Sequence, residues 1–124
     1  MKILITGFEP FGSNDENSSW VVANKVATQN TFGIDIALEL MPVSFRSVAK
    51  TLRTAVTRHN PDLLIMLGQA GSSDKVRLER IAINMMDARN ADNDGFIPDE
   101  EPINTETPVA LFTNTDIKQL YNAI

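Results

Sequence analysis

The chain has 124 residues, of which 43% are hydrophobic and 22% charged, a balance typical of one globular domain. Its formal net charge of −5 argues against a nucleic-acid surface, which needs clustered basic residues. The absence of cysteine excludes disulfides, zinc–thiolate sites and a thiol nucleophile within these residues.

The first half of the chain alternates between strand and helix patterns. Residues 2–6 form a short apolar run that ends at Gly7, which predicts a buried strand and is too short for a signal peptide. A helix is predicted to open near Asn17 or Ser18, with an apolar face formed by Val22, Ala23, Val26 and Ala27. Alternation over 34–43 predicts a second strand.

The clearest pattern is a helix over residues 44–60. Ser44 is a suitable cap, and apolar residues follow at helical spacing: Phe45, Val48, Ala49, Leu52, Ala55 and Val56. Arg58 and His59 in the last turn suit the helix dipole, and Asn60-Pro61 stops the helix. His59, the only histidine, is therefore interpreted as a helix C-terminal residue and not as a catalyst.

The second half of the chain is less regular. Residues 63–67 predict a central parallel strand, 76–86 are β-rich with mixed faces, and 90–108 are loop-like. A last helix is predicted over 117–124, capped by Thr115 or Asp116. We expect it to end the chain without a following strand, so that the fold is incomplete at its C-terminus.

Together these patterns predict an α/β fold. A single domain over residues 1–124 would form an open, mostly parallel twisted sheet with helices on both faces, in three layers. Right-handed crossovers would gather the loops over 7–16, 42–44 and 68–75 at one sheet edge. No segment approaches the length of a membrane span, so we expect a cytoplasmic protein with no membrane partner.

Three segments carry a resemblance to a known family. The first is Ile-Thr-Gly-Phe-Glu-Pro-Phe-Gly over 5–12 with Asn-Ser-Ser-Trp over 17–20. The second is Gly-Gln-Ala-Gly over 68–71 with Glu-Arg-Ile-Ala-Ile-Asn over 79–84. The third joins Asp-Ala-Arg over 87–89, Asp-Asn-Asp-Gly over 92–95, Pro98 and Pro102-Ile103. In this order they resemble the pyroglutamyl peptidase type I, or pyrrolidone-carboxylate peptidase, family from residue 1 to about 112. The sequence departs from the usual pattern at Ser13, Ser18, Ser72 and Ser73.

The resemblance implies a cytoplasmic cysteine peptidase that removes N-terminal pyroglutamate from peptides and often forms homo-oligomers. It implies a Cys-His-Glu triad, whose glutamate is Glu79 and whose cysteine and histidine lie further along the family's chain than residue 124. We therefore expect a truncated, inactive portion of such an enzyme, with no cofactor, no metal and no nucleic-acid partner.

Pyroglutamate is a flat, uncharged lactam, which suits apolar walls with a few hydrogen-bonding groups. Phe8 and Phe11 are either such walls or core residues that cover the sheet end, and the resemblance implies walls. The amides of Gln69 and Asn17 match the lactam carbonyl and N–H, or else satisfy loop backbone.

Two charged residues complete the predicted site. The resemblance implies that Glu79 orients the histidine, the alternative being an ion pair with Arg77 or Arg80. Arg89 is a candidate to stabilise negative charge on the reacting carbonyl, the alternative being a salt bridge with nearby acids.

Other functions remain open. Residues 90–101 have the spacing of a calcium loop, but asparagine at its first position and two prolines, Pro98 and Pro102, argue against one. Residues 7–12 suggest a phosphate loop but lack both glycine-rich motifs. The alternatives to the peptidase are a non-catalytic module that binds lactams or peptides or mediates assembly, and a nucleotide-binding α/β domain.

Overall fold

A computed structural model of the protein describes residues 1–123, which form two compact units. The first unit comprises residues 1–70 and 91–96, and the second comprises 71–90 and the chain from 97 onward. No helix within residues 1–123 combines the length and apolar character needed to cross a membrane.

The first unit is a parallel sheet with a helix on each face. Its elements in chain order are β1 (Lys2–Phe8), α1 (Ser18–Thr28), β2 (Asp35–Met41), α2 (Val48–His59) and β3 (Leu63–Met66). The strand order is β2-β1-β3, and β1 pairs in parallel with both neighbours. The predicted α/β class is confirmed.

Side-chain alternation along β1 builds a core on both faces of this sheet. Ile3 and Ile5 pack against Ala23 of α1, whereas Leu4, on the other face, packs with Met41 and Ala55 of α2. Leu4 is completely buried because each of its sides is covered by strand or helix. The two helices therefore lie on opposite faces, as the sequence predicts.

One prediction about the sheet and one about helix α1 are wrong in part. Among the described residues β3 is an edge strand, because it pairs only with β1, and Ile65 and Met66 are correspondingly 36% and 63% exposed. On α1, Val22 and Val26 remain about half exposed, since the residues that pack on the sheet core from this helix are Ala23 and Trp20.

Helix α2 begins at Val48 and not at Ser44 as predicted. Residues 45–47 form a turn, in which Ser44 Oγ accepts the N–H of Ser47 at 3.2 Å. The physical reason is that the first turn is wound more tightly than an α-helix, since the N–H of Ser47 also reaches the Ser44 carbonyl at 3.3 Å. The N–H of Phe45, which has no partner within a helical first turn, donates to Asp92 Oδ2 at 2.9 Å. The predicted stop is confirmed: Asn60 ends the helix in the left-handed conformation (φ 43°).

The second unit has little regular structure. β4 (Ile81–Ile83) pairs antiparallel with β5 (Ala110–Phe112), and Met86 forms a bridge with Glu101. β5 lies where the sequence predicted no element. The last helix, α3, spans Ile117–Asn122, and its cap is Asp116, whose Oδ1 accepts the N–H of Gln119 at 3.0 Å. The predicted helix end at Ile124 lies outside the described residues.

Candidate functional site

The first unit carries a sharply defined turn at the carboxyl end of β1. Phe8 and Phe11 lie on this turn, Phe8 partly buried and Phe11 37% exposed. The N–H of Phe8 donates to Ser19 Oγ at 2.9 Å, and the N–H of Glu9 donates to the Met41 carbonyl at 3.0 Å. The turn is thereby fixed to the start of α1 and to the end of β2.

Asn17 joins this turn to the helix that follows. Its Oδ1 accepts the N–H and the Oγ–H of Ser19 at 3.0 and 2.7 Å, so it is the N-cap of α1, as its residue type predicts. Its Nδ2 donates to the Glu9 carbonyl at 3.0 Å. Asn17 is only 3% exposed, and both the oxygen and the nitrogen of its side-chain amide are hydrogen-bonded. These contacts indicate a positioning role. A direct contact with a ligand stays a prediction.

Gln69 reaches the same helix end from the loop after β3. Its Oε1 accepts the N–H of Ser18 at 2.9 Å and the Oγ–H of Ser18 at 3.1 Å. Within residues 1–123 its Nε2 has no hydrogen-bond partner in the protein. The side chain is therefore oriented by its oxygen and retains an amide donor.

The loops after β1 and β2 are joined by the carboxylate of Glu9. Its Oε1 accepts the N–H of Val43 at 3.0 Å and the Nδ2–H of Asn93 at 2.9 Å. The predicted gathering of loops at one edge is therefore confirmed for residues 7–16, 42–44 and 68–70, which belong to the first unit.

The segment 91–96 is part of this edge although it is distant in sequence. Asp92 accepts three backbone N–H groups, from Phe96, Asp94 and Phe45, each at 2.9 Å. The bond from Phe96, with those from Phe45 and Asp94 and the charge of Arg46, lowers the pKa of the Asp92 carboxyl from its usual value despite partial burial.

Two further contacts anchor the same segment. Ser44 Oγ donates to Asp94 Oδ2 at 2.5 Å, and the guanidinium carbon of Arg46 lies 4.5 Å from the Phe96 ring centroid. The carboxylates that suggested a calcium loop are thus occupied by protein donors: Asp92 by backbone N–H groups and Asp94 by a hydroxyl.

Glu79 and Arg89 lie in the second unit, on either side of β4 in sequence. Both are exposed, and within residues 1–123 neither forms an ion pair shorter than 4.0 Å. The alternatives in which Glu79 pairs with Arg77 or Arg80, and Arg89 with nearby acids, are therefore not realised in the described chain. Their predicted catalytic roles stay predictions.

His59 occupies the last turn of α2, where the sequence placed it. Its Nε2 is 3.1 Å from Glu39 Oε2, and Arg58 reaches Glu39 Oε1 at 3.3 Å. The histidine therefore links α2 to β2, consistent with its interpretation as a structural residue.

Sequence reasoning missed three residues that organise the site: Glu9, Ser19 and Asn93. Glu9 and Ser19 lie inside the first family-like segment, so their proximity to the phenylalanines was an available signal. Asn93 lies inside the third family-like segment, but nothing in the sequence linked it to its partner Glu9, which is 84 residues away in the chain. Chemically, the assembled edge offers the aromatic side chains of Phe8 and Phe11 and an amide donor on Gln69, while the carboxylates of Glu9, Asp92 and Asp94 are bonded to protein donors.

The chain is similar to known peptidases along its whole length. A sequence model of the family described as pyroglutamyl peptidase matches residues 1–124. The pyrrolidone-carboxylate peptidase of Thermococcus onnurineus is 40% identical over 124 residues, which cover 100% of this chain and 62% of that protein. That of Bacillus subtilis is 41% identical over 119 residues, covering 96% and 55%.

Solved structures give the same result. The pyrrolidone carboxyl peptidase of Fervidobacterium islandicum AW-1 superimposes with a TM-score of 0.92 at 33% identity, covering 99% of this chain and 59% of its own. Pyroglutamyl peptidase I of Bacillus amyloliquefaciens gives 0.91 at 36% identity, covering 98% and 59%. The chain therefore spans less than two thirds of the length of these relatives.

Proposed function

The chain belongs to the pyroglutamyl peptidase family, and on that premise we propose that its first unit is the pyroglutamate-binding part of a cysteine peptidase. Such an enzyme removes N-terminal pyroglutamate from peptides. The observation that carries the proposal is the pair of contacts at the start of α1, where Ser18 holds Gln69 and Ser19 holds Phe8.

The chemistry of the lactam fits this arrangement. Its ring is flat and uncharged, so that the aromatic surfaces of Phe8 and Phe11 suit its two faces. Gln69 has its oxygen engaged by Ser18 and its Nε2 free, which supports donation from Nε2 to the lactam carbonyl. Asn17 contributes by holding the Glu9 carbonyl, and with it the turn that carries both phenylalanines.

Catalysis needs groups that residues 1–124 do not contain. In the proposed reaction a cysteine thiolate attacks the amide carbonyl, a histidine protonates the leaving amine, and water then releases pyroglutamate from the thioester. Glu79 would orient that histidine, and Arg89 would stabilise the negative charge on the reacting carbonyl. Since the chain has no cysteine, we propose that it is inactive by itself.

The proposal also covers the cellular compartment and the oligomeric state. We propose a cytoplasmic protein that forms a homo-oligomer and needs no cofactor. Exposed apolar side chains on β4 and β5, including Ile83 (62%) and Phe112 (68%), support self-association. Light scattering of the purified chain would measure its mass directly, and a monodisperse monomer would contradict the oligomer.

A second candidate function is a non-catalytic one, in which these residues bind lactams or peptides without hydrolysing them. Lactam binding by the first unit is compatible with both candidates. They differ in whether a cysteine and a histidine follow in the same reading frame, which the DNA beyond codon 124 would decide.

Calorimetric titration tests lactam binding. The ligand is a short peptide with N-terminal pyroglutamate, and the control peptide carries proline, which lacks the lactam carbonyl. We expect binding of the first peptide only, weakened roughly tenfold by Gln69→Ala because one charge-neutral hydrogen bond is lost. Gln29→Ala, at an exposed glutamine after α1, is the matched control. Equal affinity for both peptides, or a response to ATP or NAD instead, would contradict the proposal.

A further inference from the structure

We infer that Asn93 is a positioning residue for the lactam site, which it serves by fixing the turn between Phe8 and Phe11. The link to the lactam rests on the proposed function. The fixing of the turn rests on contacts within the first unit alone.

Asn93 contacts the turn through one nitrogen with two hydrogens. Its Nδ2 donates to Glu9 Oε1 at 2.9 Å and to the Pro10 carbonyl at 3.0 Å. Pro10 and Glu9 are the two residues that connect Phe8 to Phe11. In residues 1–123, Asn93 supplies the only hydrogen bond to the Pro10 carbonyl. Removing this amide would therefore leave the Pro10 carbonyl without a hydrogen-bond partner among residues 1–123.

The segment around Asn93 is itself firmly held. The N–H of Asn93 donates to the Val43 carbonyl at 3.0 Å. On one side Asp92 binds the N–H of Phe45, and on the other Asp94 binds the hydroxyl of Ser44. The Asn93 side chain therefore extends from a fixed backbone. Its two hydrogen bonds connect the turn after β1 to the loop after β2 and hold the turn in place.

The chemistry at position 93 requires a neutral amide. One hydrogen of Nδ2 meets a carboxylate and the other meets a carbonyl, and both partners are acceptors. An aspartate of the same shape would offer only acceptors and would bring a second carboxylate beside that of Glu9. Asn93→Asp therefore converts two attractive contacts into like-charge and acceptor–acceptor repulsion.

The test uses four proteins: the unaltered chain, N93D, the double variant E9Q/N93D, and N114D as a control with the same change in charge at an exposed position. In the double variant the negative charge of Glu9 is removed, and the glutamine oxygen can still accept the Val43 N–H, but the lost donor to the Pro10 carbonyl is not replaced. Two quantities are measured for each: backbone amide exchange over residues 8–14, and affinity for the pyroglutamyl peptide.

We expect N93D to speed exchange over residues 8–14 and to weaken peptide binding about fivefold, as expected for loss of hydrogen bonds between partly solvated groups. E9Q/N93D should restore part of both, because the like charge is removed while the Pro10 carbonyl still lacks its donor, and N114D should change neither. If N93D does not fold, N93A replaces it, since alanine removes the donor without adding charge.

The outcomes separate the inference from the proposed function. Unchanged exchange over residues 8–14 in N93D overturns the inference, whatever the ligand does. Faster exchange with unchanged peptide affinity also overturns it, because the turn would then not matter to the lactam. If the unaltered chain binds no pyroglutamyl peptide but N93D speeds exchange and E9Q/N93D partly restores it, the proposed function fails while the fixing of the turn by Asn93 is supported.

Discussion

Gly7 lies directly against the backbone of Trp20 at the start of α1. A Cβ at position 7 would be 2.8 Å from both the Cα and the backbone nitrogen of Trp20. This close approach lets the next residue, Phe8, donate its N–H to Ser19 Oγ at 2.9 Å. The same contact therefore joins β1 to α1 and fixes the backbone of Phe8, one of the two proposed aromatic walls.

Gly7→Ala should lower the free energy of unfolding by about 1–3 kcal/mol, the usual cost of forcing an extra carbon into a packed contact. Urea unfolding followed by circular dichroism measures this change. Gly68→Ala is the matched control, because a Cβ at that position would meet nothing within 4 Å. Equal midpoints for the two variants would show that α1 can move away from β1 at little cost.

Asp92 makes a pH-dependent contribution to the stability of the first unit. Its folded pKa is lowered from 3.8, so its contribution is fully present above that pH and is lost as pH falls through the lower folded value. Asp92→Asn should therefore reduce the melting temperature at pH 6, and the difference from the unaltered chain should shrink as pH falls below about 3.8. Thermal melts at pH 6, 4 and 3 measure it. A difference that stays constant with pH would mean that the carboxylate charge is unimportant.

Several features of the fold could be predicted from local sequence signals. A helix start near Asn17 or Ser18, the stop at Asn60 and the burial of β1 follow from residue type and sequence pattern. The structure has the cap at Asn17, the stop at Asn60 and a β1 buried on both faces. Each depends on neighbours within one or two turns of the chain, where propensity and spacing act.

Long-range contacts account for features that could not be predicted. Ser44 Oγ accepts the N–H of Ser47, as a cap does, but it also donates to Asp94, and the regular helix starts only at Val48. The apolar residues of β3 predict a central strand, but within residues 1–123 β3 pairs only with β1, and its own sequence does not determine whether a second strand pairs with it. The Glu9–Asn93 contact leaves no periodic signal, because its members are 84 residues apart.

Phe11 is a proposed site residue that can be altered with little harm to the fold. It is 37% exposed, so Phe11→Ala should change the free energy of unfolding by no more than about 1 kcal/mol. The same change should weaken binding of a pyroglutamyl peptide about tenfold, since an aromatic wall of the lactam is lost. Phe32→Ala is the control at an 85% exposed phenylalanine in the loop before β2, and it should leave binding unchanged. Similar losses from both variants would argue against a specific wall.

The 124-residue chain alone should not hydrolyse pyroglutamyl substrates. The family reaction needs a thiolate, and the chain contains no cysteine. A serine could replace it only with a base beside it, but the single histidine, His59, lies at the end of α2 with its Nε2 3.1 Å from Glu39. Ser19, the hydroxyl nearest the Phe8 backbone, donates instead to Asn17 at 2.7 Å.

Release of p-nitroaniline from pyroglutamyl-p-nitroanilide measures this prediction. The rate with the chain should equal the rate in buffer and should not respond to iodoacetamide, which alkylates thiols. Two variants guard against a trace of contaminating peptidase: Glu79→Ala at the predicted triad acid, and Glu106→Ala at another exposed glutamate of the second unit. A contaminant would be equally active in all preparations. Hydrolysis that Glu79→Ala abolishes and Glu106→Ala leaves intact would instead mean that the chain holds a nucleophile of its own, and the proposed dependence on an external cysteine would be wrong.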